Sequence, residues 1–338
     1  MARALRSSGP VPTPLRSIAL AVLLLAPLAQ GASPTAQKRM RARGEVNALL
    51  EQLANGGSLQ TTISRLKVVG EKDYAAGKLM EALPKVVDER LRRDFTAVLA
   101  SLEARAAEGT LVGLTEDDDS AIRLYAAQGL GRLKSRNVGA LLPLLQDKSS
   151  GVRKEAARAL GASGAAAVGK ELTAAAKKET DLEVRAELLV AAGKAGDAKQ
   201  VPVLKEFLAS DSESTRFAAA KGLCQLGSAD GFTFANKLLG AEDRFMRRQG
   251  LALYEGVAAK KAEPALRPLL EDKDRAVAAT AARILYQGGD KKMLEWLVLA
   301  SWNSKSPSEK DSYEKELEQL RLADDERKAI LRKAGMVK

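Results

Sequence analysis

Histidine is missing from all 338 residues. That removes the commonest general base and the commonest metal ligand, and with them His-based triads and His-Glu iron sites. Cysteine occurs once, at Cys224. One thiol cannot close an internal disulfide, and a nucleophilic thiol needs a base or cation beside it that this Ala-rich context does not provide. Aromatic residues make up only 4% of the chain, and alternating β-branched runs of the kind that mark strands are absent. The composition therefore points away from sheets and from the familiar catalytic chemistries.

Cations are plentiful. Lys and Arg number 54 against 43 Asp and Glu, a formal charge of +11. Residues 1–31 read as a secretory leader: Arg3, Arg6 and Arg16 with no acid, an apolar run from Ile18 to Leu28, then the small-x-small site Ala29-Gln30-Gly31. The run is shorter than the roughly 20 residues of a membrane span. Removal of this leader would leave a charge of +8, since it holds three Arg and no acid. Export to a periplasm or beyond argues against nucleic acid as the partner. Anionic lipid, lipopolysaccharide or an acidic protein surface remain as targets for the charge.

The dominant signal is periodic. In Gly151-Val152-Arg153-Lys154-Glu155-Ala156-Ala157-Arg158-Ala159-Leu160-Gly161 an aliphatic-Arg pair leads through Ala-Ala and Ala-Leu to Gly. The Arg recurs at Arg92, Arg123, Arg153, Arg185, Arg216 and Arg247, with Ala278 in a seventh copy, at intervals of 31, 30, 32, 31, 31 and 31 residues. A fixed period of about 20–50 residues signals one supersecondary unit stacked on copies of itself. The residue before the marker is apolar in most copies: Leu91, Ile122, Val152, Val184, Thr215, Met246, Val277. Seven residues after it come Leu99, Leu130, Leu160, Ala192, Leu223, Tyr254 and Leu285. This spacing forms one apolar stripe of an α-helix. A second apolar run separates successive stripes, with Pro202 and Pro264 placed near the start of theirs. Each unit is thus expected to be two helices of roughly 10 to 14 residues.

These residues resemble HEAT repeats. The pattern Asp…Val-Arg…Ala-Ala…Ala-Leu-Gly, followed by Pro-x-Leu-x-x-x-Leu, is similar to the short bacterial type found in phycobilin lyase subunits. The resemblance spans about Ser58 to Trp302. It implies an all-α, HEAT-like α-solenoid (an α-α superhelix) of about seven to eight helix pairs with capping helices. The expected divisions are a leader over 1–31, a basic linker and N-terminal capping helix over 32–57, the repeats over 58–303 and a helical cap over 304–338. Asp88, Asp119, Asp181, Asp243 and Asp274 stand four residues before the marker, where Asp is a natural N-cap. By resemblance, the Asp and Arg columns form a ladder between stacked repeats: Asp88, Arg92, Asp119, Arg123, Arg153, Asp181, Arg185, Arg216, Asp243 and Arg247.

By the same resemblance, the marker helices line a concave face, and positions one, two and five after the marker point out of the apolar stripe. The expected partner-binding residues there are Arg93, Tyr125, Gln128, Lys154, Arg158, Phe217, Lys221, Arg248 and Arg283. Tyr125 and Phe217 stand out as aromatics on helices rich in Ala. Three motifs are set aside. Gly164 to Lys170 has P-loop spacing, but Glu171 replaces the Ser or Thr that would hold magnesium and no strand precedes it. The run Glu116-Asp117-Asp118-Asp119 lacks the alternation of a calcium loop. Glu314, Glu316 and Glu318 point to different helix faces. Trp296 and Trp302 are expected to anchor the C-terminal cap.

The functional expectation is an exported, non-catalytic scaffold that needs no cofactor and holds a protein or peptide along its concave face. A polyanion or anionic-envelope binder is the alternative. An enzyme working with carboxylates and Arg alone is a third reading.

Overall fold

The computed structural model describes residues 33–337, so the leader assigned to residues 1–31 lies outside the described residues. Among the described residues the protein is all α, built from nineteen α-helices with short 3-10 turns and no strand. It divides into two compact units at Ser163 and Gly164.

Unit 1 begins with α1 (Pro34–Ala54), α2 (Leu59–Val69) and α3 (Lys72–Ala82). The basic stretch expected to be a linker is the first half of α1: Ser33 accepts the Ala36 N–H and Pro34 fixes the first helical position. Only the second half of α1 is buried, through Val46, Leu49, Leu50 and Leu53. Next come α4 (Glu89–Ser101), α5 (Glu108–Leu114), α6 (Ser120–Arg132), α7 (Val138–Leu141) and α8 (Ser150–Ser163). The marker helices α4, α6 and α8 pack side by side. Arg92, near the start of α4, reaches Asp117 in the turn before α6, and Ala100, near the end of α4, touches Gly129 near the end of α6. The two helices are therefore parallel and in register. Phe95 and Leu99 of α4 and Ile122 and Leu130 of α6 are fully buried, each worth about 1.5–3 kcal/mol of transfer free energy.

Unit 2 contains α9 (Gly169–Lys178), α10 (Leu182–Ala195), α11 (Val201–Glu206), α12 (Glu213–Leu226), α13 (Ala229–Leu239), α14 (Arg244–Tyr254), α15 (Ala259–Leu266), α16 (Arg275–Gln287), α17 (Lys292–Trp302), α18 (Pro307–Leu320) and α19 (Asp324–Lys333). Here α10, α12, α14, α16 and α18 form a continuous row of neighbours. Helix α18 lies against α16 and α17 and so takes the place of a further marker helix. The Trp296 ring meets Tyr313 of α18 edge-on at 5.9 Å, as expected of an anchor. Trp302 departs from that role and stays 47% exposed.

The second helices are shorter than the sequence pattern implies. Helices α7, α11 and α15 each give way to a 3-10 turn, at Pro143–Gln146, Phe207–Ala209 and Arg267–Glu271. Pro143 and Pro268 lack the N–H that would continue α7 and α15. Pro264 lies inside α15, because that helix starts earlier, at Ala259. The column stays buried throughout, Thr215 included, except at α14, where Met246 is 39% exposed and Phe245 beside it 60% exposed.

Candidate partner-binding face

Each marker helix opens on a turn that fixes its first residues. Asp88, Asp119, Asp181, Asp243 and Asp274 are all N-caps, accepting backbone N–H groups of the first turn. The marker Arg folds back over that same turn. Arg123 Nη1 donates to the carbonyls of Asp117 and Asp118 at 2.7 and 2.9 Å. Arg153, Arg185, Arg216 and Arg247 bind the corresponding carbonyls six residues upstream.

The ladder between repeats exists, but its acid is not the capping Asp. Arg92 pairs with Asp117, Arg123 with Asp147 and Arg247 with Asp272. Each of these acids lies six residues before the next marker, two before the cap. The marker Arg reaches the acid two residues before the cap, so Asp88, Asp119, Asp181 and Asp243 are corrected to caps; Asp119 in addition pairs with Arg93, the residue after the marker. Arg123 makes the fullest rung, with Nε 2.7 Å from Asp147 Oδ2 and Nη2 3.0 Å from Oδ1. Burial works to raise the Asp147 pKa, but the Arg123 hydrogen bond and the Ser149 N–H outweigh it and hold the carboxyl below its ordinary value. In the Arg247 rung, Nη2 donates to Asp272 Oδ1 at 3.0 Å. Its Nε lies 2.9 Å from Oδ2, off the hydrogen-bonding direction, and adds charge attraction only. Ser210 and Ala241 occupy the same position ahead of Arg216 and Arg247, so the rungs that Arg185 and Arg216 would make have no carboxylate.

The expected binding residues divide by surroundings. In unit 1 the parallel register of α4, α6 and α8 sets Arg93, Tyr125, Gln128, Lys154 and Arg158 on one face. Tyr125, Gln128 and Lys154 are half-buried and Arg158 is exposed. Arg93 is drawn onto Asp119 and lies 3.4 Å from Glu89. The Asp119 hydrogen bond, ahead of its charge, raises the Arg93 pKa. Arg158 Nη1 sits 2.5 Å from Glu155 Oε1.

In unit 2 the face differs from expectation. Arg283 is buried, held by Glu316 of α18, by Glu255 at 3.3 Å and by Gln287 at 2.8 Å. Helix α18 covers it, so Arg283 is removed from the binding set. Phe217 is half-buried and packs on the core of the unit, so it is no exposed anchor. Lys221 is 3.5 Å from Glu255. Arg248 remains exposed. Cys224 is wholly buried, and burial pushes its pKa up to about 12, which keeps the thiol protonated. The P-loop-like segment forms a 3-10 turn, Ala166–Val168, and the start of α9.

Stacked helix pairs, capped by Asp and tied by Arg, define a HEAT-like α-solenoid. Residues 107–191 and 169–254 match the HEAT repeats family model. No curated protein sequence matches the chain. Among solved structures, the complex of CpcE and CpcF of phycocyanin lyase from Nostoc sp. PCC7120 is 19% identical. It covers 72% of this chain and 94% of that one, with a TM-score of 0.50. The archaeal HEAT-like repeats protein from Thermococcus onnurineus NA1 is 18% identical, over 76% and 98% of the two chains, with a TM-score of 0.37. Human deoxyhypusine hydroxylase in complex with glycerol is 19% identical, over 73% and 96%, with a TM-score of 0.33. Likeness at this level is one of fold alone.

Proposed function

We propose that this chain is an exported, non-catalytic scaffold that binds a protein or peptide through the marker-helix face of unit 1. The carrying observation is the register of α4, α6 and α8, which sets Tyr125 between Arg93 and the Lys154–Arg158 pair on parallel neighbours. An amphipathic aromatic flanked by cations on a rigid support is the composition that interface anchors favour. The leader pattern of residues 1–31 supports export, and the similar fold of the complex of CpcE with CpcF supports partnership with protein. In unit 2, taken by itself, α18 covers Thr280 and Arg283.

The test is site-specific photocrosslinking in the native envelope. A photoreactive residue at Tyr125 should capture a discrete protein, and the same residue at half-buried Lys78, on α3, should not. Tyr125→Ala with Arg158→Ala should lower capture by about tenfold or more, the scale of one anchor residue. Equal yields at Tyr125 and Lys78 would sink the assignment.

A further inference from the structure

The N-terminal ends of α14, α16 and α18 enclose an open groove of about 890 Å³. Its walls carry six cations and four carboxylates, and the two sets are unequally committed. Three of the acids are engaged. Asp243 accepts the N–H groups of Phe245 and Met246 at 2.6 and 3.1 Å. Asp274 accepts the Ala276 N–H at 2.9 Å and stands 3.8 Å from Arg244. Glu309 accepts the Lys305 N–H at 2.9 Å and lies 3.1 Å from Arg275. Arg247 is turned inward to Asp272.

Arg248, Lys273 and Lys305 are left over. All three are exposed and make no ion pair among the described residues. Lys315 of α18 feels Arg248 as a like charge: Asp311 raises the Lys315 pKa and Arg248 opposes it. Two carboxylates also keep their charge, Glu242, which pairs with no cation among the described residues, and Asp243, bound only to backbone N–H groups, but the six cations still outnumber the four carboxylates and leave a positive potential that an anionic occupant relieves. Phe245, 60% exposed, follows the lining residue Arg244 in sequence, with the Arg244 guanidinium 5.0 Å from its ring centre. It supplies an apolar contact next to the charge.

We propose that this groove is a docking site for an acidic peptide segment, with carboxylates spread along the three helix ends and an apolar side chain against Phe245. Three features select this occupant. The cations come from three separate segments, Arg248 on α14 and Lys273 and Lys305 in the turns before α16 and α18, rather than from the single helix end that would cradle one phosphate. The N–H groups that could cradle a phosphate are already capped by Asp243, Asp274 and Ser306. The cations line a recess, whereas a lipid surface meets cations that protrude.

The experiment is fluorescence anisotropy with the full protein and a fluorescein-labelled peptide, Asp-Glu-Glu-Leu-Glu-Asp-Glu. The triple variant Arg248→Glu, Lys273→Glu, Lys305→Glu should bind at least tenfold more weakly, with unchanged circular dichroism because none of the three is ion-paired. Phe245→Ala should weaken binding further at high salt, where charge is screened. Reversal of three exposed lysines elsewhere in unit 2, Lys170, Lys178 and Lys199, serves as the charge-matched control. An equal loss with that control would reduce the effect to net charge and overturn the site. Displacement of the peptide by millimolar inorganic phosphate would make it a small-anion site instead. Phosphatidylglycerol vesicles that bind through the same three cations would make it a membrane contact. The Tyr125 crosslinks come from unit 1 and stand or fall separately.

Discussion

At the scale of single residues, two positions show how tightly the repeat constrains its side chains. Thr215 occupies the column held by Val152, Val184 and Val277, is wholly buried, and its Oγ1 has no hydrogen-bond partner. Val has the same shape without the hydroxyl. Thr215→Val should therefore raise stability by about 1 kcal/mol, read as a higher urea midpoint at constant slope; a lower midpoint would mean the hydroxyl is satisfied after all. Gly193 and Gly222 let α10 and α12 approach until backbone meets backbone: a Cβ on Gly222 would stand 2.6 Å from the Leu189 carbonyl oxygen. Gly222→Ala should cost about 1–3 kcal/mol through overpacking. Gly77, exposed within α3 with open space around it, offers the contrast, since Gly77→Ala should gain about 0.5–1 kcal/mol from helix propensity. Similar shifts for the two would contradict the close approach.

At the scale of helices, the links between neighbours differ in kind. Arg123 binds two carbonyls of its own turn and both oxygens of Asp147 in the next, while Arg216 binds carbonyls only. Arg123→Ala should cost about 2–3 kcal/mol and Arg216→Ala about 1 kcal/mol, as charged hydrogen bonds outweigh fewer ones. Equal losses in chemical denaturation would remove the distinction. The last helix is held differently. Glu314 of α18 accepts Arg327 of α19 in a two-pronged pair and also takes the Ser301 hydroxyl. The Arg327 hydrogen bond leads in holding the Glu314 pKa below its ordinary 4.5, against burial, which would raise it. A depressed carboxylate gives stability that is complete above 4.5 and is lost as pH falls through the folded value. Amide exchange in α19 should therefore accelerate as pH drops below about 4.5, beyond the intrinsic trend. In Glu314→Gln it should be fast already at neutral pH and insensitive to acid. Parallel pH profiles for the two proteins would count against this tie.

At the scale of the whole molecule, the period announced the architecture. The 31-residue spacing, the Ala columns and the Asp caps are local signals written once per repeat, and each repeat can be read without knowing its neighbours. What crosses from one repeat to the next was harder to see. The rung acids Asp117, Asp147 and Asp272 do keep a fixed distance of six from the next marker, a signal that was available, but the capping Asp was the more conspicuous column. The burial of Arg283 depends on α18 arriving 33 residues later with Glu316, and the packing of Phe217 depends on its neighbours in space. Neither leaves a mark on the helix that carries it. The groove cations Arg244, Lys273, Arg275 and Lys305 lie in turns and first helical residues, outside the columns that periodicity highlights.

One seam in unit 2 is plainer than the rest. Between α10 and α12 the missing rung is offset by the Gly193–Gly222 contact, and between α14 and α16 Arg247 spans the gap. Between α12 and α14 there is neither, only the half-exposed Lys221–Glu255 pair at 3.5 Å: Ala241 replaces the acid, and Met246 faces water where an aliphatic residue would be buried. Under tension in an optical trap, with handles on α10 and α18, this joint should yield first, and Ala241→Asp should raise the force at which it does. A string of modules pulled from its ends would then have a built-in fuse, set directly beside the recess that gathers its free cations.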